Sequence, residues 1–359
     1  MIRDLSFLPP TISNLVAESS VGKLLLYTSL FSAVISGLLL TIIYYSVLLV
    51  AHVPRQPLES EEFYRTVTPD GAISEPLPLS SLREPAETHL SVVIPAYNES
   101  GRIESMLSET FSFLETYLPE SSGKAWEVIV VDDGSADDTS EVALRFAQAR
   151  GETSGRMRVC TLAKNRGKGG AVNHGMMHAR GRYILFADAD GASQFSDLDN
   201  LLGQLQKVER NGRGIAVGSR AHMLKTEAVV KRSYVRNFMM HGFHSFLYVF
   251  GIRSVRDTQC GFKLFTRKAA VQIFPNMHNE GWIFDVEILI LAERKRIPIV
   301  EVPISWHEVP GSKMELAKDS IQMAVDLVSI RMAYVLGIYH DGWHLDEVEY
   351  VSPAEKKKQ

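Results

Sequence analysis

Carboxylates crowd the ends of three apolar runs in this 359-residue chain. Asp132-Asp133-Gly134-Ser135-Ala136-Asp137-Asp138 follows WEVIVV at 126–131, and Asp188-Ala189-Asp190-Gly191 follows YILFA at 183–187. Pro95-Ala96-Tyr97-Asn98-Glu99 stands at the end of a third such run, 89–95. Turn chemistry accounts for Gly134, and helix capping for Asp138. Neither accounts for adjacent carboxylates directly after a buried strand, where desolvation is costly without a ligand. Asp188 and Asp190, two apart past a strand tip, can both reach one divalent cation. Their hard oxygens suit Mg²⁺ or Mn²⁺, and such an ion neutralises a diphosphate leaving group. Between these blocks, Lys164-Asn165-Arg166-Gly167-Lys168-Gly169-Gly170 leads into a helical pattern. Glycines let a backbone approach a ligand, a helix N-terminus favours anions, and two cations add to both. The stretch lacks the Lys-Ser/Thr ending of a nucleoside-triphosphate loop, so diphosphate binding is favoured over triphosphate hydrolysis.

These blocks need elements to carry them. Short apolar strands are predicted over 89–95, 126–131, 158–162 and 183–187, with helices over 103–118, 138–150 and 169–179 between them. That alternation predicts an α/β fold with a mostly parallel sheet, whose ligands bind at the carboxyl ends of the strands. A further apolar strand at 214–217 ends in Gly218-Ser219-Arg220, and Arg232 and Arg236 share a helix face by their spacing. The residues after them, roughly 238–250, are too aromatic for an exposed helix, which predicts a membrane-surface helix over about 229–252, with burial in the protein core as the rival reading. Residues 321–338 are amphipathic, with Asp326 and Arg331 inside.

Composition sets the limits. A net charge of −4 gives no reason to expect a nucleic-acid partner. Cys160 and Cys260 lie far apart without metal-ligand spacing and read as reduced, buried thiols. Residues 24–51 contain no Asp, Glu, Lys or Arg, a run longer than a bilayer core requires and too long for a cleaved signal. Arg55, Arg65 and Arg83 after this run outnumber Arg3 and Lys23 before it, which favours a cytosolic C-terminal part. The terminal Lys356-Lys357-Lys358-Gln359 is similar to a dilysine retrieval signal of endoplasmic reticulum residents, and reads equally as a solvated charged tail. The expected division is a short segment 1–23, a transmembrane anchor 24–51, a Pro/Ser/Glu-rich linker 52–88, a catalytic domain 89–315, and an amphipathic helix with basic tail over 316–359.

In order and spacing, the blocks from 90 to 313 resemble the family 2 glycosyltransferases of the GT-A fold. The resemblance implies that Pro95, Tyr97, Glu99, Asp132 and Asp133 cradle a uridine nucleotide, that Lys168 lies near the diphosphate, and that Asp188 and Asp190 hold Mg²⁺ or Mn²⁺. Downstream, Asp257-Thr258-Gln259-Cys260-Gly261-Phe262-Lys263, Gly281-Trp282-Ile283-Phe284-Asp285 and Pro310-Gly311-Ser312-Lys313 resemble the polyprenyl-phosphate branch of that family. This implies acceptor-phosphate contacts at Arg220, Arg232, Arg236 and Lys313, although a serine stands at the position of Arg236 in related mannosyltransferases. With Asp190 and Arg220, Asp285 is a candidate catalytic residue, for sugar hydroxyls or the acceptor. The implied activity is inverting transfer of glucose from UDP-glucose to dolichyl phosphate for N-glycan assembly, at the endoplasmic reticulum membrane with the catalytic domain in the cytosol. The rival readings are a GDP-mannose-dependent enzyme on the same scaffold and a non-catalytic membrane scaffold. A processive polysaccharide synthase would carry a Gln-x-x-Arg-Trp motif and several spans, and the chain has neither.

Overall fold

The computed structural model describes residues 10–152, 154–223, 255–309 and 316–342, with backbone only for 10–23, 316 and 317. The chain divides after Ala51 into two compact units. The first is a single helix, α1 (Pro10–Val50), which begins well before the apolar run predicted from sequence. Over Leu24–Val50 it is long and apolar enough to cross a membrane, and its large apolar side chains are exposed.

The second unit begins at His52. Residues 52–88, expected to be a linker, are folded onto it. Strands β1 (Phe63–Tyr64) and β2 (Leu77–Pro78) pair antiparallel, and Arg65 bridges to Val159 at the sheet edge. Val67 and Leu82 are sealed in the core, and Glu61 is fully buried. A Pro- and Ser-rich composition has no apolar period. This segment is held instead by side-chain-to-backbone bonds, such as Thr66 Oγ1 donating to Met157 O at 2.6 Å.

The main sheet then builds as the alternation predicts. In chain order come β3 (Thr88–Ala96), α2 (Ile103–Tyr117), β4 (Trp126–Asp132), α3 (Thr139–Arg150), β5 (Met157–Thr161), α4 (Lys168–Met177), β6 (Gly181–Ala187) and α5 (Leu198–Val208). There follow β7 (Ile215–Ser219), β8 (Phe262–Thr266), α6 (Arg267–Ile273), α7 (Phe284–Arg294), β9 (Ile299–Pro303) and α8 (Leu316–Val335). Seven strands lie in the order β5-β4-β3-β6-β8-β7-β9. All pairings are parallel except those of β8, which runs antiparallel to both β6 and β7. Near-continuous burial along β3, β4 and β6 matches a sheet covered by helices on both faces.

The strands predicted from sequence do not include 262–266, and a strand's direction is what the sequence pattern does not carry. The order reverses between β3 and β6, and there a doubly wound sheet opens a crevice at its carboxyl edge. Helix α8 buries Met323, Leu327, Ile330 and Ala333, while Ile321, Val325 and Val335 face outward. Its buried side packs within the second unit, where Tyr334 Oη donates to Glu287 Oε1 at 3.1 Å. The proposed membrane-surface helix over about 229–252 lies outside the described residues.

Candidate functional site

At the tip of β3, Pro95 is buried in the strand and Tyr97 is exposed beside the crevice. Asn98 adopts the left-handed conformation and donates its N–H to Ser135 Oγ at 2.9 Å. Its Oδ1 accepts from Ala136 N at 2.8 Å, so the tips of β3 and β4 are tied together. Glu99 is engaged within the protein. Both of its carboxylate oxygens accept from Arg102 at 2.6 Å, and the residue braces the start of α2.

The aspartates at the tip of β4 divide their work, Asp132 ending the strand and Asp133 lying just past it. Asp132 turns toward α3, accepting from Ser135 N at 2.8 Å and Ser140 Oγ at 2.5 Å. Asp133 turns toward the glycine-rich loop and accepts from Arg166 N at 2.7 Å. Burial pushes the Asp133 carboxyl up to about 7, against the pull of the Arg166 and Gly167 N–H groups. Gly134 has φ +68°, and a Cβ there would lie 2.9 Å from Asn165 N, so only glycine lets this turn meet that loop.

The glycine-rich loop departs from expectation in one respect. A Cβ at Gly167 would lie 2.5 Å from Glu280 O, and one at Gly169 would lie 2.8 Å from Asn279 O. These glycines admit another stretch of protein rather than a ligand. Arg166 likewise points away from the crevice, into Glu280. Lys168 is the loop cation that faces inward: its Nζ sits 2.6 Å from Asp188 Oδ1, with both side chains about a quarter exposed. Asp188, Asp285 and Asp190 hold the Lys168 ammonium above its ordinary pKa, against the opposing effect of burial.

Asp188 and Asp190 lie just past β6, as read from sequence. Asp190 Oδ1 accepts from Ala192 N at 3.0 Å. The antiparallel β8 brings Gly261 alongside, with Asp188 N donating to Gly261 O at 3.0 Å. A Cβ at Gly261 would fall 1.9 Å from Asp188 Oδ2, so the aspartate occupies the space a side chain would take. Among the described residues, no group of three or more His, Cys, Asp and Glu could hold a metal ion. Two partly exposed carboxylates fit a divalent cation that takes its other oxygen ligands from a diphosphate and water.

Behind the crevice, Lys263 is fully buried. Its Nζ donates to Cys260 O at 2.6 Å and to Asp285 Oδ1. Asp285, at the start of α7, is raised by burial and held down by Lys263 and Lys168. Its side chain is only 4% exposed and paired with Lys263. Sequence reading singled out Asp285 but not Lys263, whose signal was a lysine inside the apolar run of β8.

Arg220 follows β7 and is bidentate to Asp257, at 2.7 and 2.8 Å. That pair keeps the guanidinium charged and pulls the Asp257 carboxyl below its usual range in spite of burial. Arg232, Arg236 and Lys313 lie outside the described residues. Both cysteines are free and buried, as expected, and burial pushes each thiol up to about 12.

A family model described as glycosyl transferase family 2 matches residues 91–274. The chain is 51% identical over 323 residues to a dolichyl-phosphate beta-glucosyltransferase of Saccharomyces cerevisiae, covering 87% of this chain and 95% of that protein. It is 45% identical over 271 residues to a protein of that name from Homo sapiens, covering 75% of this chain and 82% of the other. Among solved structures, glucosyl-3-phosphoglycerate synthase from Mycobacterium tuberculosis in complex with Mn2+, UDP-glucose and phosphoglyceric acid matches with a TM-score of 0.45 and 21% identity. That match covers 68% of this chain and 80% of the other.

Proposed function

The chain belongs to glycosyl transferase family 2, in its dolichyl-phosphate beta-glucosyltransferase branch, and on that premise we propose how its residues carry glucose from UDP-glucose to dolichyl phosphate. One observation carries the reading: the tips of β4 and β6 and the N-terminus of α4 bring Asp133, Lys168 and Asp188 to one crevice where the strand order reverses. The mannose-transferring and scaffold readings are not favoured, because the relatives that match over most of the chain bear the glucosyltransferase name.

In this reading Tyr97 and Asp133 receive the uridine. Asp133 is ionised above about pH 7 and then offers a carboxylate to a base N–H. Asp188 and Asp190 would hold Mg²⁺ or Mn²⁺, which when bound offsets the charge gathering on the departing diphosphate. Lys168 moves between the Asp188 carboxylate and the same diphosphate, both anionic.

The acceptor is a phosphate monoester whose second proton leaves near pH ~6, so it arrives mostly dianionic. It needs alignment rather than a base, which agrees with the sealed position of Asp285. An acceptor oxygen forms the new bond to the anomeric carbon as the bond to UDP breaks, and one inversion turns an α-linked donor into a β-linked product. Arg220, held flat by Asp257, is assigned to the acceptor phosphate, together with Arg232, Arg236 and Lys313. The apolar helix α1 anchors the enzyme in the endoplasmic reticulum membrane, with the catalytic unit in the cytosol.

Transfer of radiolabel from UDP-glucose to dolichyl phosphate by the full chain in detergent tests this. The expected result is a glucolipid that disappears with EDTA and falls about 10²–10³-fold with Asp190→Ala, the usual loss for a group that stabilises transition-state charge. A lipid product formed only from GDP-mannose overturns the donor, and Asp190→Ala at wild-type rate overturns the site.

A further inference from the structure

Residues 52–62, directly after the apolar helix, make a set of contacts that nothing in the transfer reaction itself assigns. Arg55 lies at its centre. Its guanidinium donates to Glu61 Oε1 at 2.6 Å, its carbonyl accepts from Arg166 Nη2 at 2.6 Å, and its N–H approaches Glu280 Oε2 at 3.4 Å. His52 adds Nε2 to Glu280 Oε2 at 3.2 Å, and Tyr339 Oη donates to the His52 carbonyl at 2.9 Å. Glu61 is fully buried and also accepts from Leu58 N and Ala163 N, both at 2.9 Å. Burial alone would raise this carboxyl; Arg55 and the two N–H groups hold it down at about 2, so it is charged at neutral pH.

Both Ala163 and Arg166 belong to the loop that delivers Lys168. Ala163 is tied to Glu61 at one end. Arg166, its side chain 5% exposed, is fixed by Glu280 Oε1 at 2.5 and 2.8 Å and by the Arg55 carbonyl. The N–H of the same Arg166 binds Asp133 at 2.7 Å. Glu280 also accepts Gly170 N through its own carbonyl at 3.1 Å, from within the loop that the glycines admit. A charge-assisted pair buried to this degree fixes geometry, because breaking it leaves an uncompensated charge.

We propose that the strap 52–62 is a working part of the donor site: Arg55, Glu61 and Glu280 are positioning residues that hold the glycine-rich loop, and through it Lys168 and the Arg166 N–H, in the geometry that binds a nucleoside diphosphate. The assignment rests on the donor reading above. It extends the enzyme's functional region N-terminal to the segment that matches the family model, which starts at residue 91.

The test is calorimetric binding of UDP with Mg²⁺ to the full chain in detergent, for wild type, Arg55→Met, Arg55→Lys and Glu280→Gln. Alongside it go melting temperature and the KM for dolichyl phosphate. Arg55→Met and Glu280→Gln should each weaken UDP binding about tenfold, the scale of one lost charge-assisted hydrogen bond. The acceptor KM should stay within about twofold, and Arg55→Lys should fall between wild type and Arg55→Met. Folded variants that melt lower yet bind UDP as wild type does make the strap mere scaffolding and overturn the proposal. A wild type that binds UDP but moves no glucose to dolichyl phosphate removes the substrate reading and leaves the strap standing. A wild type that does not bind UDP overturns both.

Discussion

Two lysine–aspartate pairs serve the same crevice and differ mainly in burial. Lys168 and Asp188 meet at its mouth, 21% and 26% exposed, while Lys263 and Asp285 meet beneath it at 0% and 4%. Water screens the upper pair, so either partner can leave the other for a ligand at little cost. The lower pair has no such freedom, since a buried charge without its partner costs several kcal/mol. The same two residue types thus make an exchangeable contact in one place and a fixed one in the other. Depth, rather than identity, decides which.

Removing the lysine should separate them most sharply. Lys263→Met is expected to destabilise the protein by about 3–5 kcal/mol, because it strands Asp285, whereas Lys168→Met should cost at most about 1 kcal/mol and act on UDP-glucose KM instead. Urea unfolding of the catalytic unit measures both. In the double variant Lys263→Met/Asp285→Leu most of the stability should return, and a double variant as weak as the single one would show that charge compensation is not what Lys263 provides.

A smaller effect is expected from crowding the exchangeable pair. Gly261→Ala puts a methyl where the Asp188 carboxylate now lies, and the aspartate must rotate away. Turnover should drop about 10²-fold, the usual consequence of misplacing a reacting group by about an ångström, with little change in melting temperature. Wild-type turnover in this variant would mean that Asp188 works from another rotamer.

The smallest effect follows from Asp133, at the edge of the upper region. Its carboxyl is raised to about 7 by burial, with Asp132 also raising it and Arg166 opposing. A raised acid is protonated below that value and loses its acceptor character as pH falls through it. UDP affinity should therefore decline several-fold between about pH 8 and pH 6, given the tenfold-per-unit limit of a single titration. In Asp133→Asn the profile should flatten to the titration of UDP itself; an unchanged profile would place the ionisation elsewhere.

The parts of this site that sequence made legible share a signature. Each aspartate block follows an apolar run, and the strands of 89–95, 126–131 and 183–187 appear within a residue or two of where the pattern put them. The reversed β8 was not legible, because burial along a strand says nothing of its direction. Nor was the order of residues 52–66, since Arg55, Glu61 and Thr66 are held by hydrogen bonds to partners such as Arg166, Ala163 and Met157, which leave no periodic trace. The glycines of 167–170 were legible as a need for close approach, but the partner approached was not: a neighbouring loop and a ligand demand the same missing Cβ.

The Arg220–Asp257 pair has a further meaning for how this enzyme can be altered. Strands β7 and β8 are hydrogen-bonded neighbours, so the chain leaves the sheet at Ser219 and re-enters it beside its own exit at Phe262. The ion pair clasps the two ends of that excursion just outside the sheet. Loop-closure entropy grows only slowly with length once the ends are fixed. A segment joined between Arg220 and Asp257 therefore starts from ends already held together, and a graft that keeps this pair leaves in place the strands that carry Asp133 and Asp188.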